Sequence, residues 1–191
     1  MQQQLRPAIF SVILFTLILG IAYPFSITWL AQIIMPYQAN GSFVVYNNKK
    51  VGSLLIGQSF KSPSYFHGRP SASKYDAGNS TGANLAQTNK NLLKNLEENL
   101  SFLPANGKQL IALDLLFTSA SGLDPHITPA AAEYQIASVA KARFMKESEL
   151  RKIVMTYTKS RFLNFLGEPT INVLELNLAL DNLAKETESK K

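Results

Sequence analysis

Between Arg6 and Lys49 the sequence carries no charged residue, and that gap limits what its first quarter can become. Ala8 to Tyr23 is nearly all apolar, and Phe25, Ile27, Trp29 and Leu30 continue the run. A helix of ~20 apolar residues crosses the hydrocarbon core of a bilayer, so residues 7–30 suffice for one span. Pro7 suits a first helical turn, Pro24 is expected to kink the far end, and Tyr23 and Trp29 fit interfacial anchors. A cleaved signal peptide also fits this end: Arg6 supplies a thin basic region, Phe10 to Leu19 an apolar one, and Gly20-Ile21-Ala22 a small-residue cleavage site. Apolar character persists past that site to Met35, which favours a retained anchor. Arg6 precedes the span and no Lys or Arg follows it before Lys49. The positive-inside bias therefore keeps residues 1–6 cytoplasmic and sends the rest of the chain outside.

Beyond the span the sequence predicts a linker over 31–41, one extracytoplasmic soluble domain over 42–184 and a charged tail over 185–191. There is no cysteine, so disulfides and thiolate metal sites are excluded. The net charge of +6 is modest. Much of it comes from Lys141, Arg143, Lys146, Arg151, Lys152, Lys159 and Arg161, diluted by Glu147 and Glu149. Nucleic-acid binding calls for a denser patch with stacking aromatics; a solvated face, or one near membrane lipid headgroups, fits better.

Within the domain, Ser42 to Tyr46 and Val51 to Ile56 read as a β-hairpin around Asn47-Asn48-Lys49-Lys50. Gln58 to Thr88 is rich in Ser, Gly, Asn and Pro, yet Phe60, Tyr65, Phe66 and Tyr75 argue that it packs. Asn89 to Leu100 predicts a helix capped by Thr88, with Leu92, Leu93, Leu96 and Leu100 on one stripe. Asn106-Gly107 is a turn, and Gln109 to Phe117 a buried strand or short helix. A helix then starts at Pro129, with Thr128 as its cap, and turns Ala132, Ile136, Val139 and Ala140 inward. Arg143 falls on that same face and needs a buried acceptor. Ser148 is expected to cap a helix from Glu149 to Phe162, and Thr170 to Leu176 reads as a strand before a short helix from about Asn177. The fold class is α+β: one transmembrane helix, then a single mixed domain with a small sheet.

Ser119-Ala120-Ser121-Gly122-Leu123-Asp124-Pro125-His126-Ile127 concentrates turn formers and reactive side chains in one loop. Ser121, His126 and Asp124 could make a hydrolase. However, Asp124 and His126 flank a proline, which hinders the bond that would orient the imidazole, and no Gly-x-Ser-x-Gly elbow exists. Asp124, His126 and His67 show no metal-ligand spacing. In the bland alternative, Asp124 and the serine hydroxyls cap turns and helix ends. Arg69, in Tyr65-Phe66-His67-Gly68-Arg69-Pro70-Ser71-Ala72, offers a planar fork to a carboxylate or phosphate, with Asp124 or Asp76 as an ion-pair partner. Asp124, His126, Arg69 and Arg143 are expected to form one polar network beneath the loop. No Walker motif occurs.

Taken in order, Ala22-Tyr23-Pro24, Gln38 to Ser42, Gly57-Gln58-x-Phe60, Tyr65 to Ala72 and Ser119 to Ile127 resemble the C subunit of the Kdp-type potassium-transporting P-type ATPases. Gln135, Val139-Ala140, Arg143, Gly167-Glu168-Pro169 and Asn172-Val173-Leu174-x-Leu176-Asn177 complete the series. Ala83, Ala120 and Ser138 depart from it, standing where Ser, Gly and Arg are expected. The resemblance implies a non-catalytic accessory subunit in a bacterial inner membrane. Its partners would be a channel-like potassium-binding subunit, a P-type ATPase subunit and a small single-span subunit. It also implies a chaperone role that raises the pump's ATP affinity, with the Ser119–Gly122 run touching nucleotide and no intrinsic cofactor. The residues singled out for nucleotide or partner contact are Ser119, Ser121, Gly122, Asp124, His126, Arg69, Ser71, Gln135 and Arg143; none is assigned to catalysis or to a metal.

The charge asymmetry makes a direct prediction. A reporter active only in the cytoplasm, fused after Lys191, should give no signal in cells. A strong signal would reverse the orientation and place the loop on the side where ATP is found.

Overall fold

The computed structural model describes residues 2–104 and 110–189, so the expected turn at Asn106-Gly107 lies outside the described residues. The chain divides into two compact units, Met1–Val51 and Gly52–Lys191.

In the first unit, α1 (Gln2–Leu17), a π-helical turn (Ile18–Ala22) and α2 (Tyr23–Ile34) follow one another directly. Gln4–Ile34 is a 31-residue helix long and apolar enough to cross a membrane, none of it buried by the rest of the chain. At 1.5 Å per residue those 31 residues measure about 46 Å, more than a hydrocarbon core of ~30 Å. The helix thus overruns residues 7–30 at both ends, and Pro7 lies inside α1 rather than in its first turn. The widened turn follows from Pro24, which has no N–H to give the Gly20 carbonyl and crowds it with its ring. Ser26 Oγ donates to the Ala22 carbonyl at 2.7 Å, adding a bond where the ladder is disturbed. After α3 (Pro36–Ala39), β1 (Phe43–Tyr46) and β2 (Lys49–Ser53) form the expected hairpin. Asn47 and Asn48 make its two-residue turn with φ of 51° and 60°, a twist that matches the strands.

The second unit is built around three short antiparallel strands, β3 (His126–Ile127), β4 (Thr158–Lys159) and β5 (Thr170–Asn172), in the order β3-β5-β4. Ile171 of β5 pairs with Ile127 on one side and Thr158 on the other. Helices α5 (Pro129–Arg143), α6 (Glu147–Thr156) and α7 (Val173–Ser189) supply most of the core. Ala132, Ile136, Val139 and Ala140 are buried as their spacing predicts, against Leu150, Val154, Leu176 and Leu180. Thr128 caps α5, its Oγ1 accepting from the Ala131 N–H at 3.2 Å.

Several boundaries differ from expectation for local reasons. α4 (Lys90–Phe102) is capped by Asn89, whose side chain accepts from the Asn91 N–H, and not by Thr88. No residue of α4 is buried, and Leu93 and Leu100 of its leucine stripe are exposed. Residues 110–117 hold only a 3-10 turn, Leu113–Leu115, of which Leu115 alone is buried. α6 starts at Glu147, not Glu149; Glu147 and Glu149 both fall in its first turn, where carboxylates complement the helix dipole. It stops at Thr156 because β4 follows. The expected strand over Thr170 to Leu176 ends at Asn172, whose Oδ1 accepts from the Leu174 and Glu175 N–H groups at 3.1 and 3.2 Å. That carboxamide caps α7, and Val173, Leu176 and Leu180 then recur at helical spacing.

Residues 54–89 contain no helix or strand, yet Phe66 within them is fully buried. Two buried side-chain amides hold it there. Asn177 accepts from the Phe66 N–H and donates to the Phe66 carbonyl, both at 2.9 Å. Gln135 accepts from the His67 N–H at 2.7 Å and donates to the His67 carbonyl at 3.2 Å. Asn177→Ala would strand both Phe66 backbone groups in the core. At about 1–3 kcal/mol per unsatisfied group, the loss should total roughly 2–6 kcal/mol in denaturant unfolding. Asn177→Asp should restore at most the half of the clamp that accepts.

Candidate functional site

The loop over Ser119–Ile127 is set by Gly122. Its φ is +69°, and a Cβ there would lie 2.5 Å from the Thr81 carbonyl oxygen and 2.9 Å from Ser73 Oγ. Both the angle and the space demand glycine. The Gly122 carbonyl accepts from Ser71 Oγ at 2.5 Å and from Ser73 Oγ at 3.3 Å. Ser71 Oγ in turn accepts from the Tyr75 N–H at 2.9 Å. On the far side, the Gly57 N–H donates to the Leu123 carbonyl at 2.7 Å, and the Val173 N–H to the Pro125 carbonyl at 3.0 Å. Gly57 sits so close that a Cβ would meet the Asp124 carbonyl oxygen at 2.6 Å.

Asp124 is the charged centre of the loop. One oxygen accepts from the His126 N–H at 3.0 Å, and the other pairs with Arg69 Nη1 at 3.2 Å. The ring nitrogen Nδ1 of His126 stands 3.6 Å from the first oxygen, an ion-pair distance and too long for a hydrogen bond. Arg69 also donates to the Thr118 carbonyl at 3.4 Å, and its own carbonyl accepts from the Tyr75 hydroxyl at 2.5 Å. Burial alone would raise the Asp124 carboxyl; its bonds to His126 and the Arg69 guanidinium outweigh that and hold it below the ordinary value. Burial, helped by the Asp124 charge, pushes the Tyr75 phenol up to about 12, so it remains a donor at neutral pH.

Arg143 does not join this network. It lies 14 residues along α5 from Pro129, about 21 Å of helix. There it donates to the Ser64 carbonyl at 2.5 Å and pairs with Asp181 at 2.8 Å. Its guanidinium also stacks 4.9 Å above the Tyr65 ring, whose hydroxyl bonds the same carboxylate at 2.9 Å. Arg143 does find a carboxylate acceptor, but Asp181 is half-buried, its side chain 28% exposed, and the expected single network with Asp124 does not form.

The residues singled out from the sequence thus fall into four groups. Arg69, Ser71, Gly122, Asp124 and His126 meet around the loop. Ser119, 3% exposed, and Gln135, 1% exposed, are interior, and Arg143 stands apart. Ser121, with Ala120 beside it, is exposed: its Oγ accepts from the Leu123 N–H at 3.1 Å and its carbonyl from Ser80 Oγ at 3.0 Å. No hydrogen bond described among these residues joins Ser121 to His126. Beside the loop an open groove of about 750 Å³ is lined by Ser71, Lys74, Thr81, Asn91, Asn95 and Thr118 among others. Ser73 and Asp114 were not singled out from the sequence, and Tyr75 and Asn177 entered it only as a packing aromatic and as part of the family resemblance, although each fixes the site. Asp114 accepts from the Thr128 N–H at 2.7 Å and its hydroxyl at 3.2 Å. The signal for Asn177 was a polar residue set between Leu176 and Leu178 in a largely apolar run.

A carboxylate held below its ordinary value stabilises the fold above the unfolded pKa, about 3.9 for Asp, and that contribution vanishes as pH falls through the folded value. Asp124→Asn should therefore be less stable than the parent at pH 7, with the gap narrowing below about pH 4. Thermal unfolding of the two proteins across that range measures it.

A family model described as "KdpC: K+-transporting ATPase, c chain" matches residues 5–182. The chain is 48% identical over 185 residues to the potassium-transporting ATPase KdpC subunit of Koribacter versatilis, covering 95% of both sequences. It is 45% identical over 196 residues to the protein of the same name from a strain of Rhodopseudomonas palustris, covering 95% of this chain and 98% of that one. To the Acidobacterium capsulatum KdpC subunit it is 46% identical over 181 residues, with 94% and 98% covered. A match running from within the apolar helix to the middle of α7, with relatives similar along their whole lengths, means that this chain belongs to the KdpC family, the c chain of the K+-transporting ATPase.

Proposed function

We propose that this protein is a non-catalytic, single-pass accessory subunit that assembles and stabilises an ATP-driven potassium uptake complex from the outer face of the membrane. Its partners are the channel-like potassium-binding subunit, the P-type ATPase subunit and the small single-span subunit. The observation that carries this reading is the use made of the reactive side chains. Ser121 caps its own turn, Asp124 is shared between Arg69 and a backbone N–H, and Ser119 is interior. A hydrolase would need Ser121 and His126 within hydrogen-bond reach and Asp124 on the ring. These side chains instead fix the shape of a loop whose outer edge, Ser121, faces solvent. On this reading any gain in the pump's ATP affinity is transmitted through assembly, because ATP is cytoplasmic and the loop is not.

Affinity purification from membranes with a tag on this chain should recover the larger membrane subunits in constant ratio. Recovery of the chain alone would count heavily against the assembly role. Ser121→Ala should leave the recovered complex intact and lower potassium-stimulated ATPase activity by less than about 3-fold, the effect of ~0.6 kcal/mol. Ester or phosphate hydrolysis by the isolated chain, abolished by Ser121→Ala, would establish the hydrolase instead.

A further inference from the structure

Between β4 and β5 the chain makes a tight apolar tip. Phe162, Leu163, Phe165 and Leu166 are 70%, 64%, 69% and 49% exposed. Phe162 and Leu166 bond each other's backbones in both directions at 2.9 Å, and the Asn164 and Phe165 N–H groups return to Arg161 and Phe162. Leu163 holds a left-handed φ of 52° although it is a bulky residue in open solvent. Neither local conformation nor packing within the domain accounts for a leucine there. Four large apolar side chains on one small convex tip form the kind of patch that marks an interaction surface.

We propose that this tip inserts shallowly into the bilayer that the chain's own helix spans. Its occupant is the headgroup–acyl boundary. Three observations point to lipid. The backbone N–H groups of Phe162, Asn164, Phe165 and Leu166 are already bonded within the tip, so entry into a medium without water strands none of them. The basic residues at its base are matched: Arg161 pairs with Glu168 at 2.7 Å, and Lys159 with Glu175 at 3.0 Å. The tip can therefore approach a neutral surface without unpaired charge beneath it, while Asn164 stays at the wet level of the headgroups. Lastly, the tip belongs to the same chain as the apolar helix Gln4–Ile34. Tethering to a bilayer raises effective concentration so far that a contact of few side chains is occupied.

The test uses the absence of cysteine. Leu163→Cys in the full-length chain, labelled with a bimane and reconstituted in phosphatidylcholine vesicles, places one probe at the tip; Lys152→Cys on the exposed face of α6 is the control. Acyl-brominated lipid should quench the tip probe several-fold more than the control, and 0.5 M KCl should leave that difference unchanged. Adding Phe162→Ser and Phe165→Ser should bring tip quenching down to the control level, with the circular dichroism spectrum unaltered. Quenching of the tip probe by aqueous iodide in place of lipid would overturn the proposal. So would shielding from both quenchers, which would put the tip against protein, or loss of lipid quenching at high salt.

Discussion

Everything around the loop depends on how residues 54–89 satisfy their backbone without a helix or a sheet. Buried N–H and C=O groups must be paired, and a segment without regular structure has no ladder to supply partners. Asn177 on α7 and Gln135 on α5 meet that need by offering side-chain amides that imitate a neighbouring strand. Phe66 and His67 are gripped on successive residues from two different helices. Phe66 is thereby fixed in the core, and Arg69, two residues beyond His67, is delivered to Asp124. The site is thus held from the interior outward.

Elements with strong periodicity were legible in the sequence. The apolar helix, a hairpin and the inward stripe of α5 are all present, although the helix overruns residues 7–30 and the hairpin turns on Asn47-Asn48 alone, so that β2 runs over Lys49–Ser53 where Val51 to Ile56 was expected. Gly122 and Thr128 were legible too, because a left-handed turn and an N-cap each leave a residue signature. What failed has a common physical cause. A side-chain amide that bonds backbone far away in sequence looks the same, letter by letter, as one facing solvent. Asn172 does lie in β5, but its amide reaches the distant Leu54 carbonyl and caps the residues that follow, so the strand stops there and α7 begins four residues before its expected start. Arg143 was read correctly as facing inward, but one face of a helix serves several neighbours along its length, and its acceptor proved to be Asp181.

The polar chemistry of the domain is also unevenly shared between inside and outside. Ser119, Gln135, Asn172 and Asn177 are buried and committed, whereas Ser121 and the groove beside it remain open. α4 shows the opposite imbalance, with leucines in solvent and no buried residue. The domain thus spends its amides on internal shape and leaves apolar side chains of α4 uncovered.

The two amide clamps also impose an order on synthesis. Phe66 and Asn177 are 111 residues apart in the chain, and His67 and Gln135 are 68 apart. At about 5–20 residues per second, a ribosome delivers Asn177 some 6–22 s after Phe66. During that interval the segment around Phe66 is out of the tunnel, ahead of its partners and with its backbone paired only to water. The apolar helix emerges before any of this. The nascent domain therefore stays open, and closes only when α7 arrives.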